Sequence, residues 1–319
     1  VLDTMTNGAA QDIQDARSVA QRLGIPYHVF DVTPCFQAQV MDRFAAAYEA
    51  GETPNPCVDC NRHVKFGTLL ELVRGLDREA VATGHYARVE YDQGAGRWLL
   101  KRAGRRAKDQ SYVLYPLSQE ILSRLLLPVG AWDKAAVRAL AEARGLCAAR
   151  KPDSQDICFV PDGDYPAFLR RYGGVELREG DFVDPQGRVL GRHRGLPCYT
   201  TGQRRGLGVS ADRPLYVLRK DAGSNTVVLG DEAALYSDTV WAEDFNWVSL
   251  PPQTGPLAVT AKTRYSQTEA SGTLYLEPDG GVRVEFDQPQ RAVTAGQSLV
   301  CYCGEAVAGG GVICRAAPE

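Results

Sequence analysis

The chain has 319 residues with 36 basic and 39 acidic side chains, which gives a formal net charge of −3. This length predicts two or three domains, and a hydrophobic content of 44% is enough to build their cores. The nearly balanced charge excludes a globally basic nucleic-acid-binding protein, so any RNA contact must come from local patches. No apolar run approaches the roughly 18 residues of a membrane helix, and we therefore expect a cytoplasmic protein with no membrane partner.

The first part of the chain predicts helices that alternate with short strands. Apolar residues recur at helical spacing over residues 9–23, 36–50 and 63–76. Residues 27–31 and 80–84 are short runs of apolar or small residues, as in the buried strands of a parallel sheet. Strands separated by helices of this length indicate an α/β doubly wound parallel sheet.

A hairpin is expected next, over residues 88–102, followed by helices over residues 118–127 and 133–145. Asp133 is a suitable N-cap for the second helix, and Gly145 is a suitable stop. These elements complete the part of the chain that predicts an α/β fold.

Turn-rich sequence begins near residue 173, and strict alternation of apolar residues dominates after residue 239. Short strands with frequent turns are typical of a β-barrel or sandwich. The predicted domains are therefore an α/β domain, a small central linker domain and a C-terminal β-barrel, over residues 1–165, 166–237 and 238–319. The run Gly-Gly-Gly at residues 309–311 is expected to be a bulge or turn, because no helix pattern follows it.

Nine cysteines are scattered through the chain, which favours reduced thiols over a disulfide framework. Two of them, Cys57 and Cys60, have C-x-x-C spacing just after two prolines. The prolines restrict the backbone, so we expect a stiff turn here and a helix that begins near Arg62. Backbone N–H dipoles at that helix N-terminus would favour the thiolate. Cys158 lies in another polar, turn-prone segment and is predicted to meet the other two in one site.

Spacing alone leaves several interpretations of these cysteines open. A C-x-x-C pair can be half of a structural zinc site, although no second pair at suitable spacing completes it. It can instead carry sulfur or iron–sulfur chemistry, or it can be two ordinary cysteines. The remaining cysteines are expected to be packing residues: Cys35, Cys147, Cys198, Cys301, Cys303 and Cys314.

Two further features suggest ligand contacts. Ligands of doubly wound sheets bind beyond the carboxyl ends of strands, where Gly84 and His85 follow residues 80–83. Gly84 would let a nucleotide approach the backbone, although it can also be a plain turn glycine, and a lone loop histidine is more often structural. Basic residues cluster at residues 101–108 and again at residues 188–205, and each cluster is either an RNA-binding patch or a solvated loop.

A set of ordered motifs carries a resemblance to a known family. The motifs are Thr-Pro-Asn-Pro-Cys-x-x-Cys-Asn-x-x-Val-Lys-Phe, Ala-Thr-Gly-His-Tyr, Lys-Asp-Gln-Ser-Tyr, Asp-Ile-Cys-Phe, Gly-Gln-Arg-Arg-Gly-Leu-Gly and Phe-Asp-Gln-Pro-Gln-Arg-Ala-Val-Thr-Ala-Gly-Gln. They begin at Thr53 and cover more than four-fifths of the chain. The chain resembles the tRNA-specific 2-thiouridylase family.

The resemblance implies a PP-loop ATPase domain of the adenine nucleotide alpha hydrolase type, a small central domain and a C-terminal β-barrel. It also implies a tRNA sulfurtransferase that uses ATP and Mg²⁺. Such an enzyme adenylates the C2 oxygen of the wobble uridine and replaces it with sulfur to give 2-thiouridine. The implied partners are the anticodon stem-loop of tRNA and a sulfur donor, which is a cysteine desulfurase, a relay protein or sulfide.

Residue roles carry over by position. The resemblance makes Cys60 the nucleophile, Cys158 the persulfide-forming partner and Gly84 a nucleotide contact. The residues implied to touch the target base or the tRNA are Asn55, Pro56, Cys57, His85, Lys108, Asp109, Gln110, Arg264, Tyr265 and Gln297.

Two departures from the family pattern matter. The family's Ser-Gly-Gly-x-Asp-Ser loop, whose backbone N–H groups wrap pyrophosphate, does not occur in residues 1–319, so we expect this sequence alone to bind ATP weakly. The first residues of this chain, Val1-Leu2, suggest that a segment lies upstream. Many members also carry Asp where this chain has Cys57.

Two mechanisms are therefore open. In the first, Cys158 carries a persulfide, Cys60 attacks or resolves it, and the two end in a disulfide. In the second, Cys57, Cys60 and Cys158 ligate three irons of a [4Fe–4S] cluster, and sulfide on the fourth iron attacks C2. The cysteine at position 57 favours the cluster.

Two other functions are weighed against this one. A different PP-loop tRNA-modifying enzyme would share the sheet but would lack the Gly-Gln-Arg-Arg-Gly segment and the barrel. A zinc-stabilised, non-catalytic RNA-binding protein would fit only if the pyrophosphate loop were truly missing from the protein.

Overall fold

The computed structural model describes residues 9–76, 78–150 and 157–317. The polar segment predicted to form a turn before Cys158 and the opening Val1-Leu2 lie outside these described residues. The chain divides into two compact units, of which the first consists of Val1–Met41 and Pro56–Gly163 and the second of Asp42–Asn55 and Asp164–Glu319. The three domain boundaries drawn from the sequence remain a prediction.

The first helix, α1, spans Ala9–Leu23 as predicted. Asp12 lies in its first turn and Arg22 in its last, where each charge complements the helix dipole. Gly24 ends the helix in a left-handed conformation, with φ of 66°. No helix in the described part of the chain is long and apolar enough to cross a membrane.

The predicted strand over residues 27–31 is wrong. This segment is irregular and largely exposed, and no described strand pairs with it. A parallel strand is stable only when neighbouring strands satisfy its N–H and C=O groups. Instead, the Tyr27 hydroxyl donates to the carbonyl oxygen of Ile13 at 3.0 Å, and the Arg17 guanidinium lies over the Tyr27 ring. The segment therefore packs on α1 through side chains.

The predicted helix over residues 36–50 is present but begins earlier. It consists of α2 at Thr33–Phe36, a π-helical segment at Gln37–Met41 and α3 at Asp42–Glu49, of which α3 belongs to the second unit. Pro34 lies at the start of α2, where its missing N–H costs no hydrogen bond.

The helix that carries the first two cysteines begins at Pro56 and not near Arg62. It comprises α4 at Pro56–Asp59, a π-helical segment at Cys60–Thr68 and α5 at Leu69–Arg74. Proline suits the first helical position, because its fixed φ is helical and its missing N–H would have no partner there. The proline that was expected to prolong a turn therefore starts the helix.

The remaining strands of the first unit are short. Strand β1 at Val81–Ala82 pairs in parallel with β4 at Leu125–Leu126. Strands β2 at Ala87–Asp92 and β3 at Arg97–Arg102 form the predicted antiparallel hairpin.

Two helices flank strand β4. Helix α6 covers only Gln119–Leu122, so the prediction of a helix over residues 118–127 is wrong beyond Leu122, where β4 pairing takes over. Helix α7 at Lys134–Ala143 begins as predicted, because the Asp133 carboxylate accepts a hydrogen bond from Ala135 N at 2.8 Å.

A four-stranded sheet forms the central part of the second unit, after helix α8 at Tyr165–Gly173. Its strands are β5 at Gly180–Val183, β6 at Val189–His193, β7 at Tyr216–Asp221 and β8 at Thr226–Gly230, in the order β6-β5-β8-β7. Phe182, Val217, Val227 and Leu229 are fully buried in its core.

A closed six-stranded barrel follows in the second unit. Its strands are β9 at Tyr236–Trp247, β10 at Leu257–Lys262, β11 at Ala270–Leu276, β12 at Val282–Arg291, β13 at Ser298–Cys303 and β14 at Ala306–Ala317. The order is β13-β10-β11-β12-β9-β14, and pairing of β13 with β14 closes the ring, which removes exposed sheet edges. The glycines at residues 309–311 lie in β14 beside a break in register, as expected of a bulge.

Substitution of Gly272 tests how tightly the strands of the barrel pack. A Cβ at Gly272 would clash with the carbonyl oxygen of Glu285 and come within 3.0 Å of the Phe286 Cα on the paired strand. Because that backbone is held by the ladder, Gly272→Ala is expected to lower the free energy of unfolding by about 1–3 kcal/mol, measured by urea denaturation. Gly255→Ala is the matched control, since its Cβ would meet no atom within 4 Å. Equal unfolding midpoints for the two variants would contradict this packing.

Candidate active site

The helix that carries Cys57 and Cys60 changes from α to π geometry at Cys60. Hydrogen bonds of a π-helix join residues five apart, so residues five apart lie on nearly the same side of the axis. In an α-helix with 3.6 residues per turn, the same two positions would be about 140° apart. Cys60 and Lys65 therefore share one face of this helix.

Asn61 anchors this helix to the protein interior. Its side chain is 1% exposed, and its Nδ2 donates to the carbonyl oxygen of Val113 at 2.9 Å. Val64 and Phe66 are also buried. Because Asn61 directly follows Cys60, this anchoring fixes the direction in which Cys60 faces.

Cys158 is held by the buried residues that follow it. Phe159 packs edge-on against Phe36, with ring centroids 5.7 Å apart. Val160 is 1% exposed, and its N–H donates to the carbonyl oxygen of Ile157 at 2.9 Å. The Cys158 side chain itself stays exposed. It is therefore presented from a fixed backbone.

Cys57, Cys60 and Cys158 come together in the first unit. A thiolate at Cys57 raises the pKa of Cys158, and thiolates at Cys158 and Cys57 both raise the pKa of Cys60. Charges shift each other's pKa in this way only as near neighbours. All three are free thiols. The site therefore gathers three sulfur atoms whose ionisations are linked.

Desolvation is the largest influence on these thiols. It raises the pKa of Cys60 to about 12, and it raises the pKa of Cys57 and of Cys158 as well. The Lys65 ammonium lowers the pKa of all three without overcoming this effect. The expectation that a helix N-terminus would favour thiolates here is therefore wrong. Solvent reaches Cys57 and Cys158, but the surrounding protein still favours the neutral thiol.

The predicted metal sites find no support among the described residues. Within residues 9–76, 78–150 and 157–317, no group of three or more His, Cys, Asp or Glu side chains is arranged to hold a metal ion. The described residues therefore give no support to a zinc site at Cys57 and Cys60, and the [4Fe–4S] cluster on Cys57, Cys60 and Cys158 stays a prediction. What the site offers is three thiols.

A pocket of about 490 Å³ opens in the same unit. It is lined by Lys65, Leu69, Val81, Ala82, Thr83, Gly84, His85 and Gln110. Residues 83–85 directly follow strand β1, so the pocket lies at the strand's carboxyl end, where α/β sheets bind ligands. Its volume is in the range of small-molecule sites.

Gly84 and His85 both line this pocket. A Cβ at Gly84 would meet no protein atom within 4 Å, so the space above this residue is open to a ligand. His85 Nδ1 is hydrogen-bonded to Thr83 Oγ1 at 2.9 Å, and its ring lies 6.0 Å from that of Phe66. Burial, helped by the charge of Lys65, lowers the pKa of His85 to about 4, so the imidazole is neutral at physiological pH.

Lys65 is the candidate that the sequence analysis missed. It belongs to the Val-Lys-Phe end of the cysteine motif, but a helical wheel with 3.6 residues per turn directs it away from Cys60. The π-helical segment brings it into line, and it lines the pocket while its charge also acts on the three thiols. A basic residue five positions after a reactive cysteine was the available signal.

The three residues at positions 108–110, which the resemblance implied as tRNA contacts, differ from one another in their surroundings. Lys108 is exposed on a 3₁₀ turn at Arg106–Lys108. The Asp109 carboxylate accepts hydrogen bonds from Ala103 N at 2.9 Å and from the Ser111 hydroxyl at 2.8 Å, so it stabilises the local turn. Gln110 lines the pocket, and its Oε1 accepts a hydrogen bond from Tyr86 N at 2.9 Å.

The basic cluster at residues 101–108 is smaller in the structure than in the sequence. Arg102 is only 2% exposed, and Lys101 forms an ion pair with Glu90. The exposed basic residues of the cluster are Arg105, Arg106 and Lys108. In the second cluster, Arg188 pairs with Asp184 and Arg192 with Asp181, which reduces the local positive charge.

Arg264 and Tyr265 lie in the second unit and were both implied as tRNA contacts. Arg264 is engaged in internal hydrogen bonds, whereas Tyr265 is exposed. The Arg264 Nη2 donates to the carbonyl oxygens of Thr201 and Ala292 and to Thr294 Oγ1, at 2.6–3.2 Å. These contacts tie the end of β10 to two loops, which is a structural role. Tyr265 is 42% exposed, and the Lys262 ammonium lies near its ring.

Gln297 and Asn55 also belong to the second unit. Gln297 Nε2 donates to the carbonyl oxygen of Thr53 at 2.6 Å, and Thr53 N donates to the carbonyl oxygen of Ala295 at 3.0 Å. Lys220 Nζ donates to the carbonyl oxygen of Glu52 at 3.2 Å. The loop that ends at Asn55, directly before Pro56, is therefore held at three backbone atoms.

The other cysteines follow the packing expectation only in part. Cys301 is fully buried in the barrel core. Cys35, Cys198 and Cys303 are half-buried, whereas Cys147 and Cys314 are exposed. The two exposed residues are therefore not packing residues.

Comparisons with known proteins cover almost the whole chain. A model of the tRNA methyl transferase HUP domain matches residues 2–162, a model of the tRNA methyl transferase PRC-barrel domain matches residues 166–231, and a model of the aminomethyltransferase β-barrel domain matches residues 237–313. The fold and the matched models define a three-part HUP-domain protein, with a central PRC-barrel domain and a C-terminal barrel. The predicted fold class is thus confirmed.

Curated relatives narrow this class to one family. The chain is 49% identical to the tRNA-specific 2-thiouridylase MnmA of Acetivibrio thermocellus, over 94% of this chain and 84% of the relative. It is 47% identical to the protein of that name from Symbiobacterium thermophilum (95% and 78%) and 42% identical to that from Clostridioides difficile (94% and 83%). The chain belongs to the tRNA-specific 2-thiouridylase family.

The raised pKa of Cys60 predicts slow alkylation of the ligand-free protein. With a pKa of about 12, roughly one Cys60 sulfur in 10,000 is ionised at pH 8, and the thiolate is the reactive form. The iodoacetamide labelling rate at Cys60, followed by peptide mass spectrometry, should still rise about tenfold per pH unit between pH 8 and pH 10. A rate that levels off near pH 9 would contradict the desolvation of this thiol.

Proposed function

We propose that the protein is a tRNA-uridine 2-sulfurtransferase that uses ATP to replace the C2 oxygen of the wobble uridine with sulfur. The observation that carries the proposal is the meeting of Cys57, Cys60 and Cys158 in the unit that contains the pocket lined by Gly84 and His85. Membership of the 2-thiouridylase family supplies the substrate class.

Activation of the base comes first. The uridine C2 oxygen attacks the α-phosphorus of ATP, pyrophosphate leaves, and the adenylated base now carries a good leaving group. Gly84 would contact the nucleotide, because the space above it is open. Mg²⁺ would enter with the phosphates of ATP, as it does where the protein supplies few ligands.

Sulfur transfer follows at the thiols. The terminal sulfur of a Cys158 persulfide attacks C2, AMP leaves with the former C2 oxygen, and the base is joined to Cys158 through the transferred sulfur. Cys60 then attacks the Cys158 sulfur, which releases the 2-thiouridine and leaves a disulfide between Cys60 and Cys158. A cellular reductant restores the two thiols, and a sulfur donor reloads Cys158.

Proximity of the thiols supports this persulfide route. Cys60 and Cys158 lie within electrostatic reach of each other, since a thiolate at Cys158 raises the pKa of Cys60. We favour this route over the iron–sulfur route, because the described residues contain no group of side chains arranged as metal ligands. Cys57 would then face the target base beside the two reacting thiols.

The tRNA must present the uridine outside its stack, since C2 is otherwise hidden. Pro56, His85 and Gln110 lie in the unit that holds the thiols and are proposed to contact the extruded nucleotide. Exposed Lys108 is proposed to bind phosphate and exposed Tyr265 a loop nucleotide. Asn55, Asp109, Arg264 and Gln297 are proposed to shape these surfaces, because the hydrogen bonds of the last three are internal.

Single cysteine substitutions test the proposal with the full-length protein. Cys60→Ser and Cys158→Ser should each lower the rate of 2-thiouridine formation by about 1,000-fold or more, because each removes a sulfur that forms or breaks a bond. The product is measured by mass spectrometry of digested tRNA. Cys147→Ser, which removes an exposed thiol, is the matched control and should keep full activity. Unchanged activity of Cys158→Ser would overturn the sulfur-transfer assignment.

Cys57→Asp separates the two routes. In the persulfide route this variant should keep activity within about tenfold, because the position contributes no transferred sulfur. In the iron–sulfur route it should lose activity together with iron, since a cluster ligand is removed. A wild-type protein that releases pyrophosphate with tRNA but modifies another position would instead support a different PP-loop tRNA-modifying enzyme. A protein that binds tRNA without releasing pyrophosphate would support a non-catalytic role.

A further inference from the structure

One cation faces the nucleotide-sized pocket. Of the described residues that line it, Lys65 alone is formally charged at neutral pH, because His85 is held neutral. The other lining residues are apolar or carry uncharged polar groups. The pocket is therefore electrostatically suited to an anion near Lys65 and to an uncharged ring or sugar elsewhere.

Among the residues that the structure describes, the Lys65 ammonium has no carboxylate counter-ion. In the described ranges, no ion pair joins Lys65 to a carboxylate, and Asp59, six positions earlier on the same helix, lies 4.0 Å from His63 instead. Lys65 is half-buried, so its charge has lost part of its hydration. A partly desolvated cation without a partner is costly, and a bound anion would offset that cost.

The charge of Lys65 acts on two functional parts of the site. The π-helical segment aligns this residue with Cys60, and its charge acts on all three thiols. The same charge acts on His85, which lines the pocket together with Lys65. An anion bound at this ammonium would therefore lie in the pocket and near the sulfurs.

We propose that Lys65 binds the phosphate of a nucleoside monophosphate in this pocket and is a catalytic residue that stabilises this phosphate as it leaves. This inference rests on the proposed function, in which sulfur attack at C2 expels a nucleoside monophosphate. The phosphate gains negative charge as the bond from C2 to oxygen breaks. An ammonium already in position stabilises that charge without reorganisation.

This role is tested by comparing the binding of two ligands that differ only in the phosphate. Binding of AMP and of adenosine to the full-length protein is measured by isothermal titration calorimetry for wild type, Lys65→Met and Lys65→Arg. Lys65→Met should weaken AMP binding about tenfold or more, which corresponds to about 1.4 kcal/mol, and should change adenosine binding by less than twofold. Lys65→Arg keeps the charge and should restore most of the AMP affinity.

Lys134→Met is the matched control. It removes the same charge from the same unit, at the first turn of α7 and outside the pocket, and should leave both affinities unchanged. Thermal unfolding of each variant checks that the fold is intact. Equal loss of AMP and adenosine binding in Lys65→Met, or no loss of either, would overturn the proposal.

Turnover distinguishes this inference from the proposed function. If wild type forms 2-thiouridine and Lys65→Met keeps the wild-type rate and AMP affinity, the role of Lys65 is refuted while the function stands. If wild type forms no 2-thiouridine although AMP binding depends on Lys65, the proposed function fails while the phosphate contact stands.

Discussion

Desolvation of three neighbouring sulfurs is the constraint around which the catalytic unit is organised. Desolvation and mutual repulsion keep Cys57, Cys60 and Cys158 as thiols in the resting protein, although the Lys65 charge lowers the pKa of all three and backbone hydrogen bonds also lower that of Cys158. Thiols react slowly as nucleophiles, so a site of this kind is inert towards stray electrophiles until a substrate or sulfur donor changes its electrostatics. The positions of the cysteines therefore provide both proximity and protection.

The surrounding structure maintains these positions by local packing. Buried Asn61 fixes the helix beneath Cys60, and Phe159 packed on Phe36 fixes the chain that carries Cys158. In the second unit, hydrogen bonds to Glu52 and Thr53 hold the loop that leads to Asn55. Buried side chains next to Cys60 and Cys158 thus hold the backbone that carries the reacting sulfurs.

Periodicity and turn chemistry were reliable guides where one local signal decided the structure. Helix α1, the hairpin of β2 and β3, and the alternating strands of the barrel follow directly from such signals. They failed where a longer-range effect competed. Residues 27–31 have an apolar pattern but no paired strand in the described chain, and Pro56 starts a helix where proline was expected to prolong a turn.

The sequence likewise predicted the candidate site only in part. The cysteine spacing and motifs pointed to Cys57, Cys60, Cys158 and the segment at Gly84, but the direction of the thiol pKa shifts depends on burial, which a sequence does not show. Lys65 was missed because only the π-helical segment aligns it with Cys60.

Disulfide trapping tests the meeting of the three sulfurs most directly. Reduced full-length protein is treated with a limiting amount of diamide, digested without reduction and analysed by mass spectrometry. Because a disulfide needs Cα atoms within about 7 Å, Cys158 should link to Cys60 or Cys57 within one molecule, whereas exposed Cys147 and Cys314 should react with other molecules. If Cys147 and Cys314 oxidise while Cys158 never links to either partner, the three thiols do not share a site.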